Sequence, residues 1–266
     1  MPSSNLAALL GDSDFPQIVE NAPQGEKILR YQDFYKKYSQ LGLSNPYDRP
    51  MAIDGLQRRL LRTMKAEGGF GMFDEKGNKG FLRRSLLWHR LLQDAEGRPV
   101  SATLSRIKFP ADHAISVVPS WSWMAYTGAI DFFKLDFGGF EWEEIRPPWS
   151  RSASKWLQSD GRGEPVALTV VVRGFDPNAA VVGEGMLVLD NPGGSEQPKT
   201  MCVVLGIEKN VPKKKAKHTG DKIHFMLIVT PTGGLDRDGN KCYERVGAGY
   251  LPGKCIGPPG DTVTIH

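Results

Sequence analysis

Six short runs rich in β-branched and other apolar residues occupy the chain from residue 166 to its end. Turn-forming segments such as Asp176–Asn178 and Asp238–Asn240 bound these runs, as is typical of the connections between strands. The runs are Val166–Val172, Gly185–Leu189, Met201–Ile207, Ile223–Val229, Lys241–Val246 and Thr262–Ile265. Six short strands joined by loops of unequal length predict an antiparallel sheet that curls into a barrel or a sandwich.

The first part of the chain has helical periodicity instead. Apolar residues recur at helical spacing between Ile28 and Leu43, and a second helix is predicted after Asp48, which can cap it, as far as Gly68–Gly69. One face of that second helix carries Ile53, Leu56, Leu60 and Met64. A third helix is predicted over 81–92. Because the helices precede the strands rather than alternate with them, the fold class is α+β, with an N-terminal helical part packed on the β barrel or sandwich.

All six tryptophans lie in the middle of the chain, between Trp88 and Trp156. Because each indole has a large apolar surface, we predict that this segment forms a core that joins the helical and β parts. The alternative is a ring-lined pocket or partner surface, whose contact residues would be Trp88, Trp121, Trp123 and Tyr126. We favour the core. The predicted division is a partly ordered arm over 1–30, a helical subdomain over 31–107, an aromatic segment over 108–160 and a β subdomain over 161–266.

The positive charge of the chain is concentrated in one segment. The net charge is +4, but Lys209–Lys222 holds six lysines and one aspartate, so the remaining residues sum to −1. This distribution does not favour a nucleic-acid-binding face spread over the fold. Within the segment, Lys213–Lys217 fits a nuclear-localisation run, although we favour a solvated loop. We therefore expect a cytoplasmic protein, with nuclear entry through Lys213–Lys217 as the alternative.

Neither a membrane span nor an oxidising compartment is indicated. No stretch approaches the roughly 20 apolar residues that cross a bilayer, and no basic segment precedes the short apolar patch near the N-terminus. Cys202, Cys242 and Cys255 form no CxxC pair, which favours free thiols in a reducing compartment over a Cys242–Cys255 bridge. We expect an intracellular protein that does not contact a membrane.

No complete catalytic or metal-binding motif is present in the sequence. The five histidines are scattered without metal-ligand spacing, and Asp236–Asn240 lacks the glutamate that a calcium loop needs, since Gly247 stands there. We predict a hairpin turn at that position. His113 and Asp131 are the candidate acid–base residues. We expect no metal and no cofactor, and the sequence favours a protein without catalytic activity.

The segment Val118–Ile130 reads VPSWSWMAYTGAI, and five further short segments on both sides of it contribute to the same resemblance. These further segments are Phe34–Ser39, Leu41–Leu43 with Asp48–Leu56, Phe81–Trp88, Phe225–Val229 and Tyr243–Gly247. Together they resemble the C-terminal region of fungal heterokaryon-incompatibility proteins, downstream of the HET domain of those proteins. The resemblance spans roughly residues 31–266. Residues 1–30 hold none of the motifs of the HET domain itself, so we expect the chain to correspond to the C-terminal half alone.

The resemblance implies a non-catalytic interaction or regulatory module with a protein partner, acting in self/non-self recognition and cell-death control. If Trp121–Trp123 is extended, both indoles point to one face and can clamp this segment onto the helix that carries Trp88. The alternative function is a cofactor-free binding protein or cyclase-like or isomerase-like enzyme of fungal secondary metabolism. Its aromatic cavity would position a small apolar ligand, with His113 or Asp131 at the wall.

Overall fold

The computed structural model describes most of the 266-residue chain, over residues 21–75, 80–100, 103–110, 118–150, 166–193, 199–209 and 221–266. Helices dominate the first part of these ranges and strands dominate the last part, with short elements of both kinds between them. The predicted α+β class is confirmed.

Two long helices form the N-terminal part, α1 (Gln24–Ser39) and α2 (Arg49–Met64). Each helix buries one apolar face, and α2 ends at Lys65, which adopts a left-handed backbone with φ of 52°. The predicted end at Gly68–Gly69 is therefore too late. The third helix, α3, is also shorter than predicted and covers only Phe81–Leu86, because the chain then enters a strand that pairs with a distant segment.

In the described ranges, seven strands of two or three residues lie between the end of α2 and the barrel, two before α3 and five after it. They are β1 (Glu67–Gly69), β2 (Met72–Asp74), β3 (Trp88–Arg90), β4 (Ser105–Arg106), β5 (Tyr126–Thr127), β6 (Ile130–Phe132) and β7 (Phe140–Trp142). β1 pairs with β2, β3 with β6, and β4 with β5, all antiparallel. These strands are too short to show an alternating sequence pattern, so the sequence did not predict them.

The C-terminal part is a closed barrel of five strands. The strands and the one short helix of this part are β8 (Leu168–Phe175), α4 (Asn178–Val181), β9 (Met186–Leu189), β10 (Met201–Glu208), β11 (Ile223–Leu235), β12 (Lys241–Pro252) and β13 (Ile256–Ile265). The order β11-β10-β8-β13-β12 closes through pairing of β11 with β12. All pairs are antiparallel except a short parallel contact of β12 with β13. All six predicted strands are present; five of them form a barrel rather than a sandwich, and the sixth, β9, pairs with β12 outside the barrel.

The helices and the barrel share one continuous core. The buried cluster runs from Ile28 in α1 to Ile265 in β13, and it includes Trp88, Trp121 and Trp123 among the largest fully buried side chains. Two additional strands extend the barrel, since β9 pairs with β12 and β7 pairs with β10. The tryptophan-containing segments therefore contribute to the core that the helical part and the barrel share.

Candidate functional site

The Trp121–Trp123 segment is a tight turn rather than a strand. Ser122 has an extended backbone, but its hydroxyl accepts a hydrogen bond from the Met124 amide (3.1 Å) and donates one to the Phe70 carbonyl (2.7 Å). A one-turn 3₁₀ helix, Trp123–Ala125, begins at that cap. The extended geometry considered for this segment is therefore not adopted, because serine side chains that cap the following amides favour turns over strands. Trp88 likewise lies on strand β3 and not on a helix.

The indole rings pack against other rings on different sides of this turn. Trp123 lies 5.0 Å from Tyr35 between ring centroids, and Trp121 lies 6.1 Å from Phe70 in an edge-to-face arrangement. Trp88 lies 5.5 Å from Tyr126. All three indoles are fully buried, and the distances are those of favourable aromatic pairs. The four predicted ligand-contacting rings therefore belong to the filled core of the described residues.

A buried arginine lies beside these rings. The side chain of Arg245, on β12, donates hydrogen bonds to both carboxylate oxygens of Asp190 (3.1 and 3.3 Å) and to the carbonyls of Leu86 (2.9 Å) and Trp88 (2.6 Å). Its guanidinium carbon lies 3.2 Å from the centroid of the Trp88 ring. A planar guanidinium suits this combination of stacking and forked hydrogen bonding, which an ammonium group cannot reproduce.

Further hydrogen bonds join Arg245 to the tryptophan turn. The Arg245 amide donates to the Ser120 hydroxyl (2.9 Å), which itself donates to the His266 carbonyl, and the Tyr126 hydroxyl donates to the Arg245 carbonyl (3.3 Å). The Trp88 indole N–H donates to the Trp121 carbonyl (2.9 Å). We call the five residues Arg245, Asp190, Trp88, Ser120 and Tyr126 the arginine node. Burial raises the pKa of Tyr126, so its phenol remains a neutral donor.

A second buried arginine attaches the helices to the same turn. Arg49, at the start of α2, donates to the carbonyls of Tyr126 (2.5 Å), Ser39 (2.8 Å) and Gly128 (3.3 Å), and it lies over the Trp123 ring at 5.4 Å. Burial lowers the pKa of the Arg49 guanidinium, and three carbonyl acceptors replace water at its two terminal nitrogens, whereas its buried Nε has no hydrogen-bond partner among the described residues. Sequence reasoning missed both arginines because arginine is usually a surface residue.

The segments that resemble the heterokaryon-incompatibility family meet at this turn. Ser39, Arg49, Trp88 and Arg245 come from four of the five other family-like segments, and each forms a hydrogen bond with a residue of Val118–Ile130. For Ser39 that bond is its hydroxyl accepting from the Ile130 amide (2.9 Å). The sequence signal that could have singled out Arg49 and Arg245 was their position within the segments on which the predicted resemblance rests.

The predicted acid–base residues are not brought to a cavity in the described ranges. The Asp131 carboxylate forms a 2.6 Å ion pair with Lys36, and Asp131 lies opposite His89 across the β3–β6 pair. His113 falls outside the described residues. His89 is buried, its Nδ1 lies 2.7 Å from the Arg90 carbonyl, and burial lowers the pKa of its imidazole. A histidine without charge in a filled core is expected to be structural.

A groove of about 680 Å³ lies at one end of the barrel, lined by residues of 174–184 and 254–257. None of the predicted contact residues lines it, so the tryptophan turn and the groove are separate features. Within the described ranges all three cysteines are free, which excludes the alternative Cys242–Cys255 bridge. Burial raises the pKa of Cys202 to about 12, so this thiol is not a nucleophile at neutral pH.

The described part of the chain contains no group of three His, Cys, Asp or Glu side chains that could hold a metal ion, and none of its helices has the length and hydrophobicity of a transmembrane span. Fold and site together define an α+β protein in which two buried arginines attach the helices and the barrel to one tryptophan turn. Comparison of the chain with protein-family models, curated proteins and solved structures gave no match.

Proposed function

We propose that the chain is a non-catalytic interaction or regulatory module, resembling the C-terminal region of fungal heterokaryon-incompatibility proteins, with a role in self/non-self recognition and cell-death control. The observation that carries the proposal is the meeting of four family-like segments with Val118–Ile130. These segments are widely separated in the sequence, yet each supplies a hydrogen bond to the same turn. A shared structural node is a reason for such segments to occur together.

The chemistry of the site supports a non-catalytic role. The guanidinium groups of Arg49 and Arg245 are buried and bonded to fixed carbonyls or to Asp190, and the Asp131 carboxylate is paired with Lys36. A catalytic group needs access to substrate and a geometry in which a proton or charge can move. The node instead resembles a saturated buried network, whose usual effect is to specify one packing arrangement.

The aromatic-cavity alternative requires open space beside the rings. Trp88, Trp121 and Trp123 are fully buried and in contact with other rings, so the described core offers a small apolar ligand no face of these indoles. We therefore propose one function only. Its partner is a protein, and its expected location is the cytoplasm.

Inducible expression in a filamentous fungus tests this proposal. We expect the intact chain to change the fraction of dead hyphal compartments severalfold when it is expressed together with HET-domain proteins, as scored by vital-dye staining. The variant that combines Trp121→Ala with Trp123→Ala, expressed to the same level, is the control, because loss of both buried indoles is expected to unfold the chain. Equal dead fractions for the parent and this double variant, with the parent shown to be folded by circular dichroism of the purified chain, would contradict the proposal.

A further inference from the structure

The groove at the end of the barrel has an apolar lining and a projecting apolar rim. Phe175, Ala179 and Ile256 line it, and they belong to a small hydrophobic cluster separate from the main core. At the rim, Val181 and Val182 are 84% and 72% exposed. Two adjacent valines exposed to this degree beside a concave surface differ from the singly scattered apolar residues of an ordinary protein surface.

The charges around the groove are unbalanced. Asp176, Glu184 and Lys254 line it, and the charge of Asp221 also acts on the pKa of Cys255 in the groove wall. The Lys254 ammonium is bonded to the Glu184 carboxylate at 2.8 Å. Two lining carboxylates and the nearby Asp221 therefore accompany one ammonium, which is already bonded to Glu184. We call this surface the acidic groove.

The walls of the acidic groove are held in place by backbone hydrogen bonds. The Asp176 amide donates to the Cys255 carbonyl (2.9 Å), and the Glu184 amide donates to the Ala179 carbonyl (3.0 Å). The Asp176 carboxylate accepts from the Asn178 amide (3.0 Å), which fixes the start of α4. A site that is formed before binding loses less conformational entropy when a ligand binds.

We propose that the acidic groove docks a segment of a partner protein that combines apolar side chains with lysine or arginine. This inference rests on the proposed function, because it names the surface and the chemistry through which the module contacts its partner. The apolar lining provides contact area, and the excess carboxylates favour a cationic segment through electrostatic complementarity. A second copy of the chain is disfavoured as the occupant, because it would bring two net-negative faces together.

Fluorescence anisotropy with the intact chain tests this proposal. The probe is a labelled octapeptide of alternating valine and lysine, compared with peptides in which glutamate or serine replaces the lysines. We expect saturable binding of the lysine peptide that weakens as salt increases, and at least tenfold weaker binding of the glutamate and serine peptides. We also expect Asp176→Asn, Glu184→Gln and Asp221→Asn together to weaken binding of the lysine peptide about tenfold.

A matched variant controls for nonspecific attraction. Asp33→Asn, Glu96→Gln and Glu26→Gln together remove the same number of carboxylates from exposed residues that do not line the acidic groove, and this control should bind as the parent does. Val182→Ser should weaken binding, whereas Leu29→Ser, on the exposed face of α1, should not. Unfolding midpoints in urea verify that all variants are folded.

Three results would overturn the inference: equal binding of the lysine and glutamate peptides, equal loss in the groove and control variants, or a concentration-dependent dimer in sedimentation that Val182→Ser abolishes. Failure of the proposed function is distinguishable from failure of this inference. If the groove variant still changes hyphal death as the parent does, then the module acts through another surface. If the peptide binds at the groove but the parent has no effect in hyphae, then the groove is a docking site and the proposed role in cell-death control is wrong.

Discussion

Two ion pairs, one on strand β12 and one just after its end, differ in how far they are buried. Arg245 and Asp190 are 3.1 Å apart with side chains 0% and 5% exposed, whereas Lys254 and Glu184 are 2.8 Å apart with side chains 42% and 32% exposed. The shorter distance belongs to the pair that matters less for stability, because water screens exposed charges and competes for their hydrogen bonds. The comparison shows that burial, rather than distance, decides which ion pair holds the fold.

The buried arginine node and the acidic groove differ in the same way. The arginine node uses all its described polar groups to connect α3, β3, β12 and the tryptophan turn, so it has nothing to offer a partner. The acidic groove has an exposed valine, and its lining carboxylates remain accessible to solvent although they are bonded to Asn178 and Lys254. Breaking the node should therefore affect the whole molecule, and altering the groove should affect only binding.

The largest effect is expected when the tryptophan turn loses both indoles. Trp121→Ala combined with Trp123→Ala removes two fully buried side chains, each contributing roughly 3–5 kcal/mol to the free energy of unfolding. Because typical domains have only about 5–15 kcal/mol in total, we expect an unfolded chain without near-ultraviolet circular dichroism. Phe137→Ala is the control, since that ring is half exposed. A folded double variant that had lost only partner binding would show that the indoles form a contact surface.

A smaller but still large effect is expected at the arginine node. Arg245→Met leaves the Asp190 carboxylate buried without its counter-ion, which should lower the free energy of unfolding by about 3–5 kcal/mol in urea titrations. Adding Asp190→Leu removes the stranded charge and should restore part of this loss. If the double variant were no more stable than Arg245→Met, the carbonyl bonds and the stacking on Trp88 would dominate over the ion pair.

The fold was predictable where the sequence pattern is long and local. The β-branched runs after residue 166 gave all six predicted strands, and the apolar periodicity gave α1 and α2. The prediction failed at Trp88–Arg90, which has no pattern of its own and becomes a strand because Ile130–Phe132 pairs with it. Tertiary pairing of this kind overrides local propensity, and a single sequence does not reveal it.

The site was predictable only in part, for a related reason. The burial of Trp88, Trp121 and Trp123 follows from their size, but the partners of Arg245 do not follow from its position in the chain. Asp190 and Leu86 are distant from Arg245 in sequence. Pairing of β9 with β12 brings Asp190 within hydrogen-bond distance, and packing of β12 against the end of α3 does the same for Leu86. The acidic groove likewise depends on two separate loops that face each other.

A moderate, pH-dependent effect is expected from His89. Its pKa lies below the ordinary value of 6.5 because of burial and, to a smaller extent, Arg245, although the Arg90 carbonyl, Asp131 and Asp190 oppose this shift. Between the lowered pKa of the folded state and about 6.5, the unfolded chain binds more protons than the folded chain does. Stability should therefore fall as the pH decreases through this window, by up to about 1.4 kcal/mol per pH unit.

The His89→Gln variant isolates this contribution. Burial also lowers the pKa values of His224 and His266, so the His89→Gln variant should retain the pH dependence that these residues contribute to the parent. Subtracting the free energies of unfolding of His89→Gln from those of the parent, measured in urea from pH 5 to pH 7.5, leaves the part due to His89. A difference that does not change over this range would mean that His89 remains accessible to protons in the folded protein.

The smallest effect on stability is expected at the exposed ion pair, where binding should respond instead. Lys254→Ala removes the only ammonium that lines the acidic groove, and we expect no measurable change in the urea midpoint, because water already solvates both partners. The freed Glu184 carboxylate should make the groove more negative and strengthen binding of the lysine peptide, most clearly at low salt. A large loss of stability in Lys254→Ala, close to that of Arg245→Met, would show that the exposed pair also holds the barrel together and that the contrast between the two pairs is wrong.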